Sequence, residues 1–123
     1  MTGEETDHAE PSLDLKVPQA PESSEAAWTL VARNRNVLKA WDSLCRNTLE
    51  DAQRCYAWLS RDAMRRIPRR CYPLKGRAQA GCWGYEIGSG NRVYYKPDEQ
   101  HKKAVVYYAG PHPNTIPTPP KDL

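Results

Sequence analysis

The sequence predicts an α+β domain in which two helices cover one face of a small antiparallel sheet. Two apolar stripes at helical spacing occupy the middle of the chain, three strand-like runs follow them in close succession, and one strand-like run precedes them. The 123 residues, 39% of them hydrophobic, suffice for one modest core and leave no room for a second.

Taken in order, residues 26–32 (AAWTLVA) have strand character and stop at the polar run Arg33-Asn34-Arg35-Asn36. Val37, Leu38, Trp41, Leu44 and Cys45 then recur at one helical face. Asn47-Thr48 closes that helix and opens the next, with Thr48 and Asp51 resembling a capping box whose hydroxyl would accept an orphan amide bond. Leu49, Ala52, Tyr56, Leu59 and Ala63 follow at steps of three and four, a second amphipathic helix that ends before Pro68. Next come CWGYEIG and NRVYYK, rich in aromatic and β-branched residues, with the tight-turn signal Ser89-Gly90 between them. After the polar connection 98–103, residues 104–109 form the most apolar run of the chain. One strand, a helical hairpin and a three-stranded antiparallel meander result, with the helices on one face of the sheet.

Side-chain alternation divides the meander into two faces. Val93 and Tyr95 share one side of their strand, while Arg92, Tyr94 and Lys96 share the other. If the Val93 side meets the helices, Arg92 looks into an open cleft. Glu86 goes with Gly84 and away from Trp83 and Tyr85. Which of those two sides faces the cleft stays open at this point.

Charge is distributed unevenly. Up to Glu25 the chain holds seven acidic residues, one lysine and three prolines, with little apolar clustering, and residues 1–24 read as a disordered acidic arm. The remainder keeps 17 Lys+Arg against 8 Asp+Glu, about +9, where the whole chain is +3. That balance points to an anionic partner, most simply nucleic acid. The arm could fold back over the basic cleft. At the other end, residues 114–123 form a stiff, extended, Pro-rich tail. No apolar run approaches the roughly 20 residues of a spanning helix, and the acidic start does not resemble a signal peptide. A cytoplasmic protein is expected.

Cys45, Cys55, Cys71 and Cys82 are spread out with no C-x-x-C pair and no histidine at metal spacing. They read as buried structural thiols, and no metal site or cofactor is expected. Between residues 61 and 77, Arg61, Arg65, Arg66, Arg69, Arg70, Lys75 and Arg77 face a single acid, Asp62. With Tyr72, Trp83 and Tyr85 nearby, such a run can neutralise phosphates and stack bases. Arg65 and Arg66 also suit a helix C-terminus and need do no more than that.

Leu74-Lys75-Gly76, Gly81 with Trp83, the Arg92-Val93-Tyr94-Tyr95 strand and a histidine just past the last strand resemble the RelE/ParE superfamily of bacterial toxins. The resemblance spans residues 28–113, and the toxin domain is set at 25–113. It implies a β-α-α-β-β-β fold with a basic cleft on the uncovered sheet face. It also implies a type II toxin, neutralised by a cognate antitoxin, that cleaves mRNA in the ribosomal A site. In that reaction the ribose 2′-hydroxyl attacks the adjacent phosphorus, leaving a cyclic phosphate and a free 5′-hydroxyl without a metal. Arg92 matches the arginine that members place on the middle meander strand and is assigned to the transition-state phosphate. A cross-hairpin pairing with Glu86 is its structural alternative. His112 matches the position of a histidine in several members and is assigned as general acid, an exposed loop histidine being the alternative. Arg69, Arg70, Lys75, Arg77, Tyr85 and Tyr94 are the expected RNA contacts.

The match has departures. YoeB-like members carry a glutamate base before Pro-Leu-Lys, where this chain has Tyr72, and Glu86 is the acid left to substitute for it. No tyrosine follows His112, so Tyr94, Tyr107 or Tyr108 would have to stack the base. A ParE-like poison of DNA gyrase and a catalytically silent antitoxin- or RNA-binding module are the alternative functions.

Overall fold

The computed structural model of the protein describes residues 13–18 and 27–123. Strand β1 (Thr29–Ala32) leads into helix α1 (Arg35–Asn47) and helix α2 (Leu49–Arg61), followed by β2 (Cys71–Pro73), β3 (Trp83–Ile87), β4 (Asn91–Asp98) and β5 (Lys103–Pro111). The five strands form one sheet in the order β1-β5-β4-β3-β2. β1 runs parallel to β5, and every other pair is antiparallel. The expected order therefore holds, with one addition: β2, too short to register as a strand in the sequence, extends the meander at its outer edge.

Local chemistry sets the helix ends. Asn34 Oδ1 accepts the Val37 amide at 2.9 Å and caps α1. Thr48 alone joins the helices, but its hydroxyl donates back to the Leu44 carbonyl at 2.8 Å, so it caps the end of α1 and not the start of α2. Glu50 and Asp51 in the first turn of α2 and Arg61 in its last turn complement the helix dipole.

Both helices lie on the sheet face that carries Val93 and Tyr95, which are wholly buried with Trp41, Cys55, Leu59, Ile87 and Val106. Tyr95 donates to the Ala63 carbonyl at 2.6 Å, and all four cysteines are buried and free. No helix among the described residues is long and apolar enough to cross a membrane.

One expectation about the tails needs correction. Residues 13–18, placed in the disordered arm, are packed: Leu15 is 1% exposed, and its amide donates to the Leu30 carbonyl while the Ala32 amide donates to the Leu13 carbonyl, both at 2.8 Å. The cause is the free edge of β1, which the segment covers through an antiparallel bridge between Asp14 and Val31. The rest of the arm lies outside the described residues. The Pro-rich tail is likewise docked, with Ile116 and Leu123 packed on the open face of the sheet.

Candidate active site

The uncovered face of the sheet gathers residues from four strands. Tyr72 pairs with Gly84, Gly84 with Tyr94, Glu86 with Arg92, Arg92 with Gly110 and Tyr94 with Tyr108. Partners in an antiparallel register share a face, so these residues lie together opposite the helices. Gly84 leaves room here: a Cβ on it would stand 3.1 Å from the Tyr94 ring and 3.2 Å from Leu74, so those side chains would have to give by a few tenths of an ångström.

At the centre is a three-residue cluster. The Tyr72 hydroxyl donates to Glu86 Oε2 at 2.5 Å, and Arg92 Nη2 stands 3.8 Å from Glu86 Oε1. Arg92 Nη1 donates to the Asn91 carbonyl at 2.8 Å, which fixes the plane of the guanidinium. The Arg92 side chain is 12% exposed and that of Glu86 26%. A guanidinium has five donors, so it can hold this pair loosely and still engage an incoming anion. Burial, followed by the Glu86 hydrogen bond and charge, pushes the Tyr72 phenol up to about 12, so it remains a donor at neutral pH.

Beside this cluster lies an aromatic shelf. Tyr94 has Tyr108 at 5.6 Å and Tyr107 at 6.4 Å between ring centroids. The two consecutive tyrosines of β5 reach one face because the register slips between Tyr94 and Tyr95: Tyr94 pairs with Tyr108, and Tyr95 with Val106. The extra residue is a β-bulge, which re-aims the side chain it carries. Burial raises the phenols of both Tyr94 and Tyr107.

The expected site residues meet different fates. Arg92 and Glu86 are brought together. His112 is exposed one step beyond β5, its amide bonded to the Gly90 carbonyl at 2.9 Å and its Nδ1 2.8 Å from the Pro113 carbonyl. Lys75 and Arg77 are exposed on the β2–β3 loop, which turns at Gly76 (φ 101) and Gly81 (φ 81). Arg69 is exposed at φ 65, in the tight turn before β2. Arg70 is half-buried and donates to the Glu86 carbonyl at 2.7 Å, which ties the start of β2 to β3. Arg65 stacks 4.9 Å over Trp58, a local role at the end of α2. Tyr94 is on the open face, yet only 3% exposed.

Tyr85 is a correction. It is 5% exposed inside the main core, pairing with Cys71 on one side and Val93 on the other, and cannot meet RNA. The reason is the hairpin register. A two-residue turn at Ser89-Gly90 would set Ile87 opposite Arg92 and Tyr85 on the same face; the loop instead uses Gly88, Ser89 and Gly90, with Gly88 at φ 60, and Glu86 takes the place opposite Arg92. A one-residue shift exchanges the faces of a whole strand. Tyr107 and Lys96, which were not among the assigned contacts, also belong to the open face; the bulge that re-aims Tyr107 leaves no mark in the sequence.

With two helices packed on one face of a five-stranded mixed sheet and an arginine on the other, the chain has the fold of RelE/ParE-type toxins. It is similar to the YoeB/ParE toxin from Agrobacterium tumefaciens, with a TM-score of 0.56 and 20% identity over 68% of this chain and 98% of that one. It is also similar to the RelBE2 toxin–antitoxin complex from Mycobacterium tuberculosis (TM-score 0.53, 21% identity, 69% of this chain and 98% of that one). A third likeness is to the YoeB–YefM complex from Staphylococcus aureus (TM-score 0.53, 16% identity, 72% of this chain and 100% of that one). No protein-family model and no curated protein matches the sequence.

Proposed function

We propose that the protein is the toxin of a type II toxin–antitoxin system and a metal-independent endoribonuclease that cleaves mRNA on the ribosome in the bacterial cytoplasm. The observation that carries this reading is the contact of Glu86 with both Tyr72 and Arg92 on the open face of a toxin fold. Glu86 takes the 2′-hydroxyl proton, in place of the base that Tyr72 displaces from the preceding strand. Arg92 holds the phosphate oxygens as negative charge builds on them. His112, exposed where a phosphodiester can reach it, protonates the leaving 5′-oxygen. The long Arg92–Glu86 pair suits an exchange: an incoming phosphate draws the guanidinium away and leaves the carboxylate free to act as a base. Arg69, Lys75 and Arg77 supply sequence-independent attraction for the RNA backbone. A cognate antitoxin is the expected protein partner, since two of the similar structures are toxin–antitoxin complexes.

The alternative is a silent binding module, in which the Arg92–Glu86 pair stays closed when RNA binds. Induction of the protein in a bacterial host, with mapping of mRNA 5′ ends within minutes, separates the readings. Cuts within translated messages, lost in Arg92→Ala and reduced about 100-fold or more in Glu86→Gln, are expected for a nuclease with a general base. Growth arrest without cuts would assign the fold to gyrase poisoning, and no arrest would leave a binding module.

A further inference from the structure

We propose that the Pro-rich segment 115–123 is a resident occupant of the nucleic-acid-binding face, and that RNA binds only when this segment is displaced. The inference rests on the RNA reading above and concerns regulation of the same site. After His112 the chain turns back over the open face and is held at four points. Gln79 Nε2 donates to the Ile116 carbonyl at 3.2 Å, the Tyr107 hydroxyl to the Pro117 carbonyl at 3.1 Å, and Lys96 Nζ to the Leu123 carbonyl at 2.8 Å, while Arg33 Nη2 pairs with Asp122 at 3.2 Å. These anchors come from the β2–β3 loop, β5, β4 and the end of β1, so the segment crosses the width of the sheet.

The groups it engages are those a single-stranded nucleic acid would use. Ile116 and Leu123 pack against the cluster of Cys82, Tyr94 and Tyr107, rings on which bases would otherwise stack, and Lys96 is a cation directed at the same face. Tyr94 and Tyr107 are left 3% and 8% exposed. An extended Pro-rich segment laid over a tyrosine-lined groove is a recurring mode of peptide docking, because such a segment loses little conformational freedom on binding.

The attachment is built to open. Residues 112–123 add no strand to the sheet, and Pro113, Pro117, Pro119 and Pro120 have no amide to give to one. The cluster beneath is separate from the main core, so lifting the segment leaves the helix–sheet packing intact. The Arg33–Asp122 pair is exposed, 31% and 70% at its two side chains, where ion pairs hold weakly. Apparent affinity for RNA then falls by the fraction of molecules that are open.

The test uses the full chain and two variants of low charge change, Ile116→Ser/Leu123→Ser and Asp122→Asn, each checked for native circular dichroism. Cys82, buried in the cluster under the segment, reports opening through its rate of alkylation, with the other three buried cysteines as internal controls. Binding is measured with a short 2′-O-methyl oligoribonucleotide, which cannot be cleaved. The expected result is faster labelling of Cys82 alone together with RNA affinity raised about tenfold in the double variant, and by less in Asp122→Asn. Faster labelling with unchanged or weaker affinity overturns the proposal while leaving the RNA reading in place. Labelling unchanged in both variants also overturns it, since the segment would then be permanent core. An opened face that binds no RNA, in variants and parent alike, removes the RNA reading and the proposed competition together.

Discussion

Tyr72 stands on β2 before Pro73-Leu74-Lys75, where the resemblance implied a glutamate base that this chain lacks, and its hydroxyl holds a carboxylate supplied by β3. In the proposed mechanism the acid comes from the neighbouring strand, and the phenol positions it. Tyr72→Phe keeps the ring and removes the donor, so the expected loss is about 1.5 kcal/mol of stability, the low end for a hydrogen bond to a charged group because Glu86 keeps some access to water. Cleavage should fall about tenfold in kcat with KM unchanged, because Tyr72 orients the base and is not assigned to the substrate. A rise in KM with kcat unchanged would make Tyr72 a binding residue and refute this role. At this scale the sequence was partly legible. Alternation alone separated Arg92 from Val93. The pairing of Glu86 with Arg92 depended on one extra loop residue, and Tyr85 was misplaced for the same reason, because Ser89-Gly90 reads equally well as a two-residue turn or as part of a three-residue loop. The tyrosine shelf could not be foreseen as a unit, since a β-bulge has no sequence signature in a run such as Val105-Val106-Tyr107-Tyr108.

Helices and long strands declared themselves through apolar spacing, which is a local property. Elements that exist only because a neighbour needs them did not. β2 has three residues and ends in a proline, and residues 13–18 lie in an acidic, proline-flanked stretch, yet each finishes one edge of the sheet. Leu15 is the anchor of the second of these: 1% exposed within the main core, with Val17 beside it and the Trp41 indole donating to the Lys16 carbonyl at 2.8 Å. Leu15→Ala should therefore cost about 2–5 kcal/mol, the range for a buried leucine whose site cannot collapse. Urea unfolding followed by circular dichroism measures it. A change below about 0.5 kcal/mol, typical of an exposed position, would show that the segment does not belong to the fold. The same placement redirects the idea of an acidic cover: the described part of the arm lies along β1, and it is the Pro-rich segment that lies over the open face.

Across the whole molecule, both faces of the sheet carry cysteines and tyrosines that burial keeps neutral in the folded chain. Burial pushes Cys45 up to about 11 and raises Cys55, Cys71 and Cys82; it also pushes Tyr72 up to about 12 and raises Tyr85, Tyr94, Tyr95 and Tyr107. Each of these groups binds its proton more tightly in the folded chain, so each contributes stability that is complete below its unfolded pKa and is lost as pH rises toward its folded one. The cysteines begin to withdraw support near pH 9 and the tyrosines near pH 10, the ordinary values of the two groups. Stability against urea should therefore be indifferent to these groups below pH 9, decline from there, and fall more steeply above pH 10. Cys55, on the buried face of α2, and Tyr95, on the sheet beneath the helices, are both wholly buried, so these groups cannot ionise while the core is closed. Phenolate absorbance from the buried tyrosines should accordingly appear in step with loss of the helical signal and return with it on neutralisation. Phenolates that titrate fully near pH 10 with the helical signal intact would mean that water reaches the core, contrary to the packing described.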